Sequence, residues 1–174
     1  MHETPIESPL RIRAATPDDA ATVFAFIVEL ARFEQMEERV QREGGVERLR
    51  EHLSMTPPAC EVLLAEIAGV PAGFALHYPV YSTFLTRRCL HLEDLFVSPA
   101  HRGKGVGEAL LRAVARVARD RGAWRLQWCV LDWNEGAIRF YERMGARVMP
   151  AWRVCMVEGQ AAIDALADGG SATG

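Results

Sequence analysis

Arg102, Gly103, Lys104, Gly105, Val106 and Gly107 form a stretch suited to gripping an anion. They follow Leu92-Glu93-Asp94-Leu95-Phe96-Val97, which reads as a strand, and precede a run that reads as a helix. Glycines allow positive φ and let backbone N–H groups approach a ligand closely. A helix N-terminus adds unpaired N–H donors and roughly half a positive charge. The combination suits a phosphate group and predicts a phosphorylated ligand. Carboxylates form the second chemical set. Glu34, Glu37 and Glu38 recur at i, i+3 and i+4, so on a continuing helix they share one face. Glu93 and Asp94 are neighbours on the strand, so alternation predicts that they point to opposite sheet faces, one of them into a cleft. Such acids would attract a cationic group. The helical trio also reads as an ordinary solvated surface.

These residues need elements to hold them. After the turn, Ala109, Leu110, Ala113, Val114, Val117 and Ala118 trace one apolar helical face. Arg119 and Arg121 suit the last turn, and Gly122 can cap it. Residues 124–130 alternate like a half-buried strand. Upstream, residues 10–14 read as a strand. Thr16-Pro17-Asp18-Asp19 reads as a helix start, with Ala20, Val23, Phe24, Ile27, Val28 and Ala31 as the buried face. A second helix is predicted over residues 45–53, ending before Pro57-Pro58. Residues 61–68 and 72–78 read as a hairpin around Gly69-Val70-Pro71. Downstream, Asn134 is a good N-cap, Glu135 suits the first helical turn and Gly145 can end that helix. Tyr141 reads on position alone as a half-buried aromatic.

Composition narrows the function class. The chain has 174 residues, 49% hydrophobic and 25% charged, with a formal net charge of −3. That is the balance of an ordinary globule with a good core, and no broad basic surface argues for nucleic acid. Cys60, Cys89, Cys129 and Cys155 are widely spaced, form no metal cluster and read as buried thiols rather than disulfides. No apolar run is long enough to cross a membrane, which predicts a cytoplasmic protein. Residues 1–9 read as a flexible leader, 10–158 as one domain, and 159–174 as a tail with a brief helix that then frays.

Three phosphate-binding designs compete for the glycine turn. A P-loop needs Lys and Ser/Thr after its last glycine, and here Glu108 and Ala109 follow Gly107. A dinucleotide fold needs G-x-G-x-x-G after the first strand, whereas these glycines are spaced by two and lie in mid-chain. The third design is the pyrophosphate loop of the GCN5-related N-acetyltransferases, which Arg102-x-x-Gly105-x-Gly107 strongly resembles. The segment Asp132-Trp133-Asn134-Glu135-Gly136-Ala137-Ile138-Arg139-Phe140-Tyr141 resembles the second motif of the same family. Ala31-Arg32-Phe33-Glu34-Gln35-Met36-Glu37-Glu38 and Leu92–Val97 are similar to its diamine branch, which includes spermidine/spermine and thialysine acetyltransferases, and Trp152-Arg153 also fits.

The resemblance covers roughly residues 10–158 and implies an α/β fold: a bent mixed sheet of about seven strands flanked by helices. It implies acetyl-CoA in a V between the fourth and fifth strands, no metal, no nucleic acid or membrane, and a homodimer. Glu93 would be the base, and Tyr141 would protonate the departing thiolate. Leu95, Phe96, Val97, Arg102 to Gly107, Asn134, Ala137 and Tyr141 would hold the cofactor. N–H groups near Phe96 and Val97 would receive the thioester oxygen. Glu34, Glu37, Glu93, Asp94, Trp133 and Trp152 would line the acceptor side. The reaction implied is direct acetyl transfer to a primary amine of a small cationic acceptor, a diamine, polyamine or lysine-like amino acid.

Some positions depart from the branch. Thr86-Arg87-Arg88-Cys89 replaces a turn that often carries Gly. Ala151 stands where an acid often precedes the late Trp, and His91 where Tyr is common. Arg87, Arg88 and the missing acid weaken the case for long polyamines. His91 reads as a surface aromatic replacement, with an extra polar contact as the alternative. Two other functions stay open: acetylation of a protein or peptide, and a non-catalytic acyl-CoA-binding regulator. A binder would need neither Glu93 nor Tyr141.

Overall fold

The computed structural model describes residues 10–169. The expected leader, and residues 170–174 of the expected tail, lie outside the described residues. The chain divides after Cys129 into two compact units.

In the first unit, β1 (Leu10–Ala14), β2 (Glu61–Ile67), β3 (Val70–Ser82), β4 (Arg87–Val97) and β5 (Leu126–Gln127) form a sheet in that order. The first four run antiparallel, and β5 joins β4 in parallel through Leu90↔Leu126 and His91↔Gln127. The sheet is mixed, as expected, but has five strands among the described residues rather than about seven. Residues 124–130 were predicted to form a whole strand. Trp124 and Arg125 still bond to Arg88 and Leu90, but the ladder stops at Gln127. Past His91, no strand among the described residues covers the outer edge of β4. The hairpin turn is also tighter than predicted, because Val70 and Pro71 already belong to β3.

Helices α1 (Ala20–Phe33) and α2 (Gly45–Ser54) cover one face. Their core joins Val23, Phe26 and Leu49 to Val62, Leu64, Phe74, Leu76 and Phe96. Phe26 lies off the predicted apolar face, yet it is the aromatic centre. It stacks on Phe74 at 6.1 Å and tilts against Phe96 at 6.0 Å. Aromatic pairs at such distances add to the free energy of burial itself. The helix start has the expected residues but begins as a 3-10 turn over Pro17–Asp19. Asp19 accepts from the Thr16 N–H at 2.7 Å and takes both terminal nitrogens of Arg13 at 2.8 Å. Arg13 Nε also donates to Glu66, tying β1, β2 and the start of α1 together.

α3 (Val106–Asp120) buries Val106, Leu110, Leu111, Ala113, Val114 and Ala118. It has contacts with β1 through β4 and ends near Arg121, which pairs with Glu61 on β2 at 2.5 Å.

The second unit holds α4 (Glu135–Arg143) and α5 (Gln160–Ala167), with irregular chain between them. Val148, Met149, Trp152, Val154, Met156 and Val157 are exposed there. They supply apolar character for strands, but Pro150 lacks the N–H that a ladder needs. The predicted brief tail helix is α5.

Candidate active site

The glycine turn is built as the residue types require. Gly103 and Gly105 have φ of +74° and +78°. Open space surrounds the position where a side chain would start at each. Helix α3 begins at Val106, so Gly107 lies within its first turn rather than before it. Ala109 is the first residue of this helix to donate to a backbone carbonyl, that of Gly105, at 3.0 Å. The N–H groups of Val106, Gly107 and Glu108 therefore open the helix without an intrahelical acceptor. A pyrophosphate fits this cradle. Arg102 is held back toward β4. Its Nε donates to the Val97 carbonyl at 3.0 Å, and its guanidinium lies 4.9 Å from the centre of the Phe33 ring. Lys104 Nζ donates to the Ala100 carbonyl.

The same strand end offers backbone groups. Ser98 N–H donates to Ala72 on β3 at 3.0 Å. Counting back along an antiparallel ladder, Phe96 also turns its N–H toward β3, while Leu95 and Val97 turn theirs to the outer edge.

Glu93 sits at a β-bulge. Leu76 pairs with Asp94 and His77 with Leu92, so Glu93 is the extra residue. This overturns the expected alternation. Asp94 lies opposite Leu76, which belongs to the core beneath α1 and α2. Tyr78, two residues beyond Leu76, packs against that core and lies opposite His91, two residues before Glu93. Glu93 and Asp94 therefore both belong to the face covered by α1 and α2. Tyr78 Oη donates to Glu93 Oε2 at 2.6 Å, and His91 Nε2 lies 3.3 Å from the same oxygen. The Tyr78 and His91 rings are 5.1 Å apart. His91 is thus a polar contact, the alternative reading rather than the surface replacement. Burial, then the Glu93 carboxylate, pushes the Tyr78 hydroxyl well above its ordinary range.

Asp94 lines a cavity of about 440 Å³ between α1, α2 and the intervening 3-10 turn, Glu37–Arg39. Glu34 lines it too, against Ile27 and Leu30, as do Arg39, Arg48 and His52. Burial, then the nearby Glu93 and Glu34 carboxylates, pushes Asp94 up to about 7. Burial also raises Glu34. Glu37 is not among the lining residues. Its Oε1 lies 3.1 Å from Arg32 Nε and 3.7 Å from Arg42. Tyr78, His91, Arg39, Arg48 and His52 were not singled out as site residues from sequence, because strand register and helix packing bring them in.

In the second unit, Asn134 caps α4 as expected, its Oδ1 accepting from the Ala137 N–H at 3.2 Å. Tyr141 is half-buried, with its ring 5.3 Å from that of Phe140. Gly145, at φ +90°, ends the helical run. Trp133 and Trp152 are exposed.

The four cysteines are free thiols. Cys129 and Cys155 are exposed, contrary to the expectation of burial. Among the described residues, no group of three or more His, Cys, Asp or Glu is placed to hold a metal. No described helix is long and apolar enough to cross a membrane.

The profile of the "Acetyltransferase (GNAT) family" matches residues 25–146. Thialysine N-epsilon-acetyltransferase of Sus scrofa is 35% identical over 161 residues, covering 86% of this chain and 93% of that one. L-ornithine N5-acetyltransferase of Arabidopsis thaliana is 48% identical over 99 residues, 56% of this chain and only 43% of that relative. Among solved structures, a probable acetyltransferase superposes with a TM-score of 0.73 at 24% identity, covering 86% of this chain and 98% of the other.

Proposed function

We propose that this chain, which belongs to the acetyltransferase (GNAT) family and is an N-acetyltransferase, moves the acetyl group of acetyl-CoA directly to a primary amine of a small cationic acceptor. The acceptor is a diamine, a polyamine or a lysine-like amino acid. The observation that carries this reading is the convergence of Asp94 and Glu34 on one cavity, with Glu93 beside Asp94 at the bulge. The names of the relatives, thialysine and ornithine acetyltransferases, favour a lysine-like amino acid.

Acetyl-CoA supplies the activated acetyl group. The N–H groups opening α3 and the turn from Arg102 to Gly107 hold its pyrophosphate. Leu95, Phe96 and Val97 flank its arm along the outer edge of β4, and Asn134 and Ala137 are further contacts. The Val97 N–H, facing the outer edge, is the donor for the thioester oxygen as negative charge develops there. The acceptor arrives as an ammonium, because such amines have pKa values near 10. Glu93 takes its proton, directly or through water. Tyr78 and His91 occupy Oε2, so Oε1 is the receiving oxygen. The free amine attacks the thioester carbonyl, and the C–S bond breaks. Tyr141 donates its phenolic proton to the departing thiolate and is reprotonated by the second proton that leaves the acceptor nitrogen, so the amide, the CoA thiol and the proton on Glu93 account for every atom. Asp94 and Glu34 place the cationic chain. The protein works as a cytoplasmic homodimer without a metal.

The test is acetyl-CoA turnover, read as thiol release, over spermidine, putrescine, ornithine, lysine, thialysine and a basic peptide. Glu93→Gln and Tyr141→Phe serve as controls. Turnover of a small amine, lost in both variants, is expected. Turnover of the peptide alone, or acetyl-CoA binding with no turnover, would overturn the acceptor assignment.

A further inference from the structure

The cavity beneath α1 and α2 is not uniformly acidic. Its carboxylates come from β4 and the end of α1, as Asp94 and Glu34. Its cations come from different elements, Arg39 from the 3-10 turn and Arg48 from α2, which also lends the imidazole of His52 to the lining. Both carboxyls have raised pKa values, and the charges acting on Asp94 are the like-signed Glu93 and Glu34. The guanidinium of Arg48 is fixed in place. Its terminal nitrogens donate to the carbonyls of Glu43 at 2.7 Å and Gln41 at 2.9 Å. Arg39 sits one residue before the loop that Arg48 braces, on the same cavity. Ile27, Leu30 and Leu49 add apolar lining to the same cavity.

A ligand that matches this lining carries a cation at one end, a short aliphatic stem, and an anion at the other. A diamine has the cation and the stem, but its second ammonium meets guanidinium groups. Like charge at that position disfavours the wrong ligand as effectively as attraction favours the right one. We propose that Arg39, backed by the fixed charge of Arg48, binds the α-carboxylate of the acceptor and selects an amino acid with a side-chain amine over the diamine lacking that carboxylate. Arginine suits the task because its planar fork can meet both carboxylate oxygens. Asp94 and Glu34 then hold the side-chain ammonium at the end nearer Glu93. The inference rests on the cavity being the acceptor site.

The test uses matched pairs differing only in the carboxylate: ornithine against putrescine, and lysine against cadaverine. Steady-state kcat and KM are measured for the full chain and for Arg39→Ala, Arg39→Lys and Arg42→Ala. Arg42 is a control cation that contacts Glu37 and does not line the cavity. The unaltered enzyme is expected to prefer the amino acid of at least one pair. Arg39→Ala should raise KM for that amino acid about tenfold to a hundredfold, the usual effect of removing a charge-assisted hydrogen bond. Its kcat should hold, and the matching diamine should be unaffected or improved. Arg39→Lys should restore part of the loss, and Arg42→Ala should change neither substrate selectively. A preference for diamines, or equal effects of Arg39→Ala on both members of a pair, would overturn the inference while leaving the acceptor site standing. Failure of every small amine would remove the acceptor site and the inference together.

Discussion

Glu93 receives both of its polar neighbours, Tyr78 and His91, on one oxygen. A half-exposed carboxylate on a bulge is otherwise free to swing, so the 2.6 Å bond from Tyr78 fixes where its other oxygen points. Tyr78→Phe should lower kcat about fivefold with KM little changed, because one hydrogen bond is worth roughly 1 kcal/mol. A larger change in KM than in kcat, in steady-state assays, would count against that positioning role. Asp94 carries a second prediction. Its folded pKa of about 7 lies far above the unfolded value, so ionising it costs stability increasingly as pH rises toward 7, and the cost is constant above that. The ionised form is the one that attracts an ammonium. KM for the acceptor should therefore fall as pH rises through about 7 and then level. Asp94→Asn should have a higher, flat KM and be more stable than the parent at pH 8 by thermal melting. The acids themselves were legible in the sequence, as two charges set in an apolar strand. Their partners were not: Tyr78 lies 15 residues from Glu93, and His91 gained meaning only once strand register was known.

At the scale of elements, local signals carried furthest. Helix α3 was readable from its apolar spacing, and the cap of α4 from Asn134, because each depends on residues within a turn or two. The bulge at Glu93 was not readable from β4, because it exists only relative to β3. The same holds for β5, where alternation over residues 124–130 was a fair strand signal but partners were found only at Leu90 and His91. Close approach of strands β3 and β4 sets another limit. A methyl group on Gly73 would overlap the Phe96 carbonyl oxygen. That oxygen is backbone and cannot rotate away, so Gly73→Ala should cost about 1–3 kcal/mol of stability through strain. It should also disturb Val97, the last residue of β4 and the anchor of Arg102. Denaturant unfolding measures the first effect. A loss of acetyl-CoA affinity measures the second, and unchanged values of both would show that the strands can separate there at no cost.

At the scale of the whole molecule, Arg13 is the cation that joins β1, β2 and the entry to α1. Its bidentate grip, opposed in part by burial, holds the Asp19 carboxyl well below the usual carboxylate range. A depressed folded pKa gives stability that is complete above the unfolded value, near 4, and that drains away as pH falls through the folded value. Arg13→Ala should therefore melt lower than the parent at pH 7, by about 1–3 kcal/mol of stability. The two melting curves should converge as pH falls below about 3. A constant gap at all pH values would assign the effect of Arg13 to packing instead. The outer edge of β4 has its own consequence. Beyond His91 it has no strand partner among the described residues, so a row of amide groups has no ladder partner there. Such a row does not distinguish the amides of a pantetheine arm from those of a neighbouring polypeptide. The nucleotide thioester would then double as a stopper against clumping. Protein stripped of it should scatter more light on storage at high concentration than protein saturated with CoA, and the thiol carrier would belong in the storage buffer as much as in the assay.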